Sequence, residues 1–158
     1  MHTPRRKKRQ SGFTLIEMIA VIGVVGVVSA TAVPRLTALT GEARYASLKT
    51  AQRALLGVAS SAHGQFMIDG AATQDFEDVS LPMVHGYPGA DPAVLEAAGL
   101  ARGYTVQAAD AGSLTIVPSD LAGTAGAARC HLVYTQSTGP RRPPAVTLAT
   151  TATAAACT

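Results

Sequence analysis

The chain contains no tryptophan and no asparagine, and aromatic residues make up only 4% of its 158 positions. Without asparagine it has no acceptor for N-linked glycans. It has no G-x-x-x-x-G-K-[ST] phosphate loop and no G-x-S-x-G nucleophile elbow. His63, His85 and His131 are far apart, and none stands at a His/Cys ligand spacing. Asp69, Asp75, Glu77 and Asp78 form a short acidic run, but EF-hand spacing and its loop glycine are missing. These absences leave no catalytic set, no metal site and no cofactor site. The expectation is a non-enzyme whose acidic run is a solvated loop.

Charge is unevenly placed. The formal net charge is +3, yet five of the 13 basic residues lie in Arg5–Arg9. From residue 13 onward there are 8 basic residues against all 10 acidic ones. Without its basic head the chain is mildly acidic, which makes a broad nucleic-acid-binding surface unlikely.

Directly after that head comes a run with one ionisable side chain, Glu17, in the 21 residues Phe13–Val33. As a helix rising 1.5 Å per residue it would reach ~31 Å, about the thickness of a bilayer's hydrocarbon core. Basic residues precede it and only Arg35 follows closely, so the charge bias puts the N-terminus in the cytoplasm and the rest outside. A plain signal anchor would fit these facts. A cleaved secretory signal would use Ala30-Thr31-Ala32, but the apolar run exceeds the usual ~7–15 residues and contains an acid. Twin-arginine export is weaker still, because Arg5-Arg6 is followed by further basic residues.

The stretch GFTLIE, Gly12 to Glu17, resembles the processing motif of type IV prepilins and of type II secretion pseudopilins. The resemblance implies a basic leader, residues 1–12, removed by a membrane-embedded prepilin peptidase that cuts between Gly12 and Phe13. Phe13 would become the N-methylated first residue, and Glu17 would take the motif's acidic position. A carboxylate inside a membrane span costs a few kcal/mol unless it is paired. The new amine of Phe13, with an ordinary pKa near 8, could pair with Glu17 of a neighbouring copy and set the assembly register. The simpler alternative is that Glu17 serves its own helix, where the macrodipole favours an acid in the first turn, or pairs with its own amine. Implied partners are identical copies in a homopolymer, the peptidase, an inner-membrane platform protein and an assembly ATPase. The chain would be a single-pass inner-membrane protein before assembly and part of an extracellular pilus after it.

Beyond the span, 13–34, the pattern predicts an α+β head. Pro34 lacks a backbone donor and should kink or loosen the helix, Gly41 should weaken it again, and 30–41 is the candidate stretch for melting in a filament. Leu36, Leu39, Ala43, Ala46, Ala51, Leu55, Val58, Ala59 and Ala62 then recur at helical spacing, predicting an amphipathic half over 35–64 that ends near His63-Gly64. A break into two helices at Pro34 is the alternative. Residues 65–103 read as a loop-rich connector with one short helix, 92–98, capped by Asp91 and ended by Gly99. Tyr104–Gln107, Leu114–Val117, His131–Thr135 and Ala145–Leu148 are strand candidates. They suggest a small antiparallel sheet packed on the helix within 104–158.

Cys130 and Cys157 both fall on the exported side, where a bridge between them would persist. It would staple the last strands to the Ala/Thr-rich tail. The segment CHLVYTQ…PPAVTLATTATAAAC resembles the disulfide-bounded end of MSHA-type (mannose-sensitive haemagglutinin) pilins, as do GEARYASL and HGYPGADPAVLEAAGL. Secretion pseudopilins usually lack such a pair. The resemblance implies an adhesive pilus subunit, with a secretion pseudopilin or a minor pilin for DNA uptake as alternatives. Arg141 and Arg142, in the Pro-framed stretch STGPRRPP, are a candidate surface contact for DNA phosphates or an acidic neighbour, against the plainer reading of a solvated turn.

Overall fold

The computed structural model describes residues 13–76 and 78–158, with backbone alone for 34–38. The basic leader, including Gly12, and Glu77 lie outside the described residues. The chain divides into two compact units, Met1–Leu36 and Thr37–Thr158. Helical backbone is assigned without interruption over α1, Leu15–Asp69, a helix of 55 residues.

In the second unit α1 lies in the core cluster through Leu48, Ala51, Leu55 and Ala62, with Ala59 buried on the same stripe. These steps of three and four residues trace one helical face. The expected stripe was out of phase at its start. Leu39 is 58% exposed, and Ala43 and Ala46 face solvent. Small and apolar residues surround α1 at 39–46, so several faces satisfy the same spacing there. Contact with the C-terminal tail selects the face containing Gly41, which is buried.

The helix also runs past the expected end at Gly64. It stops where Gly70 adopts a left-handed backbone (φ 66°) and donates its N–H to the Phe66 carbonyl at 2.8 Å, the geometry that ends many helices. The Asp69 carboxylate accepts from the Ala71 N–H (2.9 Å) and the Gln74 side-chain amide (2.8 Å). These bonds, the backbone one foremost, hold its pKa below the ordinary carboxylate value.

The expected loop-rich connector contains a three-stranded antiparallel sheet, β1 (Thr73–Phe76), β2 (Val79–Val84) and β3 (Tyr87–Pro88), in that order. Pro82 stands inside β2, where a proline removes a ladder donor. It is tolerated because it pairs with Thr73 at the end of one ladder, while β3 pairs only with Met83 and Val84. His85 and Gly86 make the β2–β3 turn, both with positive φ (52° and 81°), the combination that two-residue hairpins favour.

Helix α2 (Ala93–Ala97) follows, with the Asp91 carboxylate accepting the Ala93 N–H at 2.9 Å. The four expected strands form one antiparallel meander: β4 (Tyr104–Asp110), β5 (Ser113–Pro118), β6 (Leu132–Thr135) and β7 (Ala145–Leu148). Their inward residues Leu114, Ile116, Leu132, Tyr134 and Val146 join the α1 face in one core. Polar bonds tie the layers together. Gln52 on α1 donates to the Val146 carbonyl at 2.6 Å, and Tyr134 donates its buried hydroxyl to the Pro88 carbonyl at 2.7 Å, linking the two sheets. Burial pushes the Tyr134 ionisation above its ordinary 10.0.

Two glycines of α1 should respond oppositely to the same change. A Cβ at Gly64 meets nothing within 4 Å, whereas at Gly41 it collides with the Ala154 carbonyl oxygen and approaches Thr158 Cγ2 to 2.8 Å. Gly64→Ala should stabilise by about 0.5–1 kcal/mol through helix propensity. Gly41→Ala should destabilise by about 1–3 kcal/mol through overpacking. Urea unfolding of the oxidised protein measures both, and shifts of the same sign would contradict the assignment.

Candidate functional site

The first unit presents an apolar helix whose side chains are exposed. Leu15–Val33 is long and apolar enough to cross a membrane by length and composition, and none of it is buried. Ile16 is 74% exposed and Val27 70%. Its 19 residues would span about 28 Å, close to the hydrocarbon thickness. Thr31 donates its hydroxyl back to the Val28 carbonyl at 2.9 Å, so this polar side chain is satisfied within the helix. A Cβ at Gly23 or Gly26 would meet nothing within 4 Å.

At the start of this helix the single acid has a defined environment. The Thr14 N–H and the Thr14 hydroxyl both donate to Glu17 Oε2, each at 2.9 Å. The Glu17 N–H points back to Thr14 Oγ1 at 3.3 Å. This is a reciprocal capping box, Thr-x-x-Glu, which satisfies donors that the first helical turn would otherwise leave open. The pattern is written in Thr14-Leu15-Ile16-Glu17. Among the described residues Glu17 Oε1 accepts no hydrogen bond. One oxygen of the carboxylate thus caps its own helix. Phe13, 84% exposed, precedes the helix; Gly12 lies outside the described residues.

The other distinctive construction is the C-terminal tail. Cys130 and Cys157 form a disulfide across 27 residues, with their Cα atoms 5.1 Å apart. Cys157 sits in a short 3-10 turn, Ala155–Cys157, and is completely buried. Arg44 of α1 binds this turn from the helix side. It donates Nη1 to the Cys157 carbonyl at 2.9 Å, and its Nη2 stands 2.7 Å from Asp120 Oδ2. Arg44 is thus a strut between α1, the 119–121 loop and the tail. Beside it, Gly41 admits the Ala154 carbonyl. A tail of Ala and Thr is thus held by one covalent bond, one guanidinium and one close backbone approach.

Other sequence candidates have local structural partners. His63 stacks on Tyr87, with ring centroids 4.0 Å apart, and its Nδ1 meets the Gly86 carbonyl at 2.7 Å. His131 Nδ1 meets the Ala127 carbonyl at 3.0 Å. Among the described residues no three His, Cys, Asp or Glu side chains are grouped to hold a metal ion. Arg141 and Arg142 are exposed on a tight turn between β6 and β7. The side chain of Pro34 lies outside the described residues.

Comparison with known proteins places the N-terminal geometry in context. Residues 7–33 match the family model described as the prokaryotic N-terminal methylation motif. This match supports the type IV pilin and pseudopilin class, a structural rather than an enzymatic one, and fits a membrane-anchored precursor. No curated protein matches, and no solved structure matches.

Two measurements test these constructions. Thr14→Ala removes the cap and should weaken the helix start by about 1 kcal/mol, while Thr14→Ser should restore most of it; amide exchange over 14–18 in detergent micelles reports both. Reducing the bridge, which closes a loop of 27 residues, should lower the stability of the head by about 3–4 kcal/mol on a chain-entropy basis. The urea midpoint with and without reductant measures that, and an unchanged midpoint would mean the tail is held by Arg44 and packing alone.

Proposed function

We propose that this chain is the precursor of a type IV pilus subunit, most similar to MSHA-type pilins, and that it works by polymerising. The observation that carries this reading is an exposed, largely apolar helical segment of 19 residues whose one acid is held at its start by Thr14. That helix is attached to a sequence whose remaining part folds into a compact, disulfide-closed head. The methylation-motif match over 7–33 supports the same class.

The mechanism follows from the physical chemistry of Glu17. Cleavage between Gly12 and Phe13 frees an amine, which methylation leaves cationic. In the membrane, lipid covers the apolar side chains of Leu15–Val33. In a filament, neighbouring helices replace lipid, and small positions such as Gly23 and Gly26 let them approach closely. Glu17 then needs a counter-charge, and the Phe13 amine of a neighbour provides one. Oε2 is already engaged by Thr14, so Oε1 is the oxygen that receives the amine. An ion pair in so dry a setting selects one register more than it adds stability. Capping and pairing are therefore compatible roles of a single carboxylate. Pro34 is the proposed point of loosening, since it removes one helical hydrogen bond where the apolar run ends. The head would stand on the outer side of the inner membrane and then form the pilus surface, where adhesion takes place. The prepilin peptidase, platform protein and assembly ATPase are the partners this reading requires.

A pseudopilin of a type II secretion system is the second reading, because the methylation motif is common to both classes. The Cys130–Cys157 bridge favours the pilus subunit. DNA uptake as a minor pilin is a third role, which the acidic surplus of the head disfavours.

The mass of the mature N-terminal peptide tests the processing step. It should begin at Phe13 and carry one added methyl group; a peptide that retains Arg5–Arg9, or begins beyond Val33, would overturn the reading. Glu17→Ala should be cleaved normally and yield no filaments. Abundant filaments from that variant would remove the registry role while leaving the processing assignment intact.

A further inference from the structure

The turn that carries Arg141 and Arg142 is built rigidly. The Arg142 N–H donates to the Gly139 carbonyl at 2.9 Å, closing a β-turn with Pro140 at its second position. Pro pre-sets the backbone there. Ser137, 2% exposed, donates its hydroxyl to the same Gly139 carbonyl at 2.8 Å and receives the Gly139 N–H at 3.3 Å. Pro143 and Pro144 then line a cleft with Leu56, His63 and Tyr87, which anchors the turn beside α1 and β3. Both guanidinium groups are exposed, and neither has an ion-pair partner among the described residues. Arranging two cations side by side on a braced turn carries repulsion that an unstructured loop would avoid.

The small sheet places acids on its opposite edge. Its order is β1-β2-β3. Tyr87, next to Pro143 and Pro144, belongs to β3. Asp75 lies on β1, and Asp78 on the β1–β2 turn, where it shares a cleft with Glu96 of α2. All three acids are exposed and, like the arginines, take no ion pair among the described residues. Cations and acids thus lie at opposite edges of one sheet. They are complementary between copies, side by side, in a heterologous contact. Repeated from copy to copy, such a contact gives a ring where the rotation closes and an open polymer where it does not.

We infer that the Arg141–Arg142 turn docks on the Asp75/Asp78/Glu96 edge of a second copy of this chain and sets the lateral contact between heads. The inference rests on the filament reading above and names a partner for a surface that reading leaves unassigned. At physiological salt, charges farther apart than about 8 Å are screened, so the contact acts at close range. It fixes orientation more than it adds affinity.

The test is charge reversal in the full chain, expressed in cells that assemble it, with sheared surface filaments as the readout. Arg141→Glu with Arg142→Glu should reduce filament yield about tenfold or more, since like charges then face each other. Asp78→Lys with Glu96→Lys should do the same. Combining all four reversals should recover most of the yield, which damage to folding would not do. Non-reducing gels check that the Cys130–Cys157 bridge forms in each variant, and the mature peptide should begin at Phe13 in all. A second measurement uses Arg141→Gln with Arg142→Gln, whose filaments should lose most of the salt sensitivity of the original. Filaments unaffected by reversing the turn, or a fourfold reversal no better than either pair alone, would overturn the contact. DNA uptake lost with filaments intact would also overturn it, in favour of a nucleic-acid partner. A parent chain that forms no filament at all overturns the filament reading itself, and this contact with it.

Discussion

The exposed apolar segment Leu15–Val33, 19 residues with one acid, is the constraint on which the rest of this protein depends. Each exposed Val, Ile or Leu in it would gain ~1.5–3 kcal/mol by leaving water. A lipid bilayer, or other apolar helices, would supply such a setting. Both require that backbone groups and the one acid be satisfied internally. The Thr14–Glu17 box does this at the helix start, and Thr31 bonds back to the helix further on. A membrane-stored polymer subunit is the reading under which every one of these features has a purpose.

The head solves a different problem. It is poor in aromatics, so its core is assembled from Leu, Ile, Val and Ala around Tyr134, and the tail adds almost no large side chains. Cross-links take the place of bulk. The Cys130–Cys157 bridge, the Arg44 strut and the tight approach at Gly41 hold a low-content tail against α1. Polar bonds from Gln52 and Tyr134 join α1 and both sheets. The decisive bond of the head is one that an oxidising compartment maintains.

Much of this was readable in advance. The apolar run, its acid, the four strands from Tyr104 to Leu148 and the oxidised pair of cysteines follow from local pattern and composition, which depend on neighbours only a few residues away. The misreadings share a cause. The helical stripe was placed out of phase at Leu39, Ala43 and Ala46 because alanine-rich helices present several acceptable faces. The helix was ended at Gly64 because a glycine inside a helix looks like a terminator until the left-handed residue, Gly70, is seen. The β1–β3 sheet was missed because Pro82 argues against a strand, and only the ladder register shows where its missing donor is harmless.

By itself the sequence determined which segment is apolar enough to leave water and where its single charge sits. These are properties of composition and order along the chain, and no fold is needed to state them. The tertiary structure alone decided which face of α1 is the core, why Gly41 must have no side chain, that Arg44 reaches the tail, and that Arg141 and Arg142 stand across a sheet from Asp75, Asp78 and Glu96. Each of those depends on residues tens of positions apart meeting in space. Contact over such separations is set by packing, which local pattern does not encode.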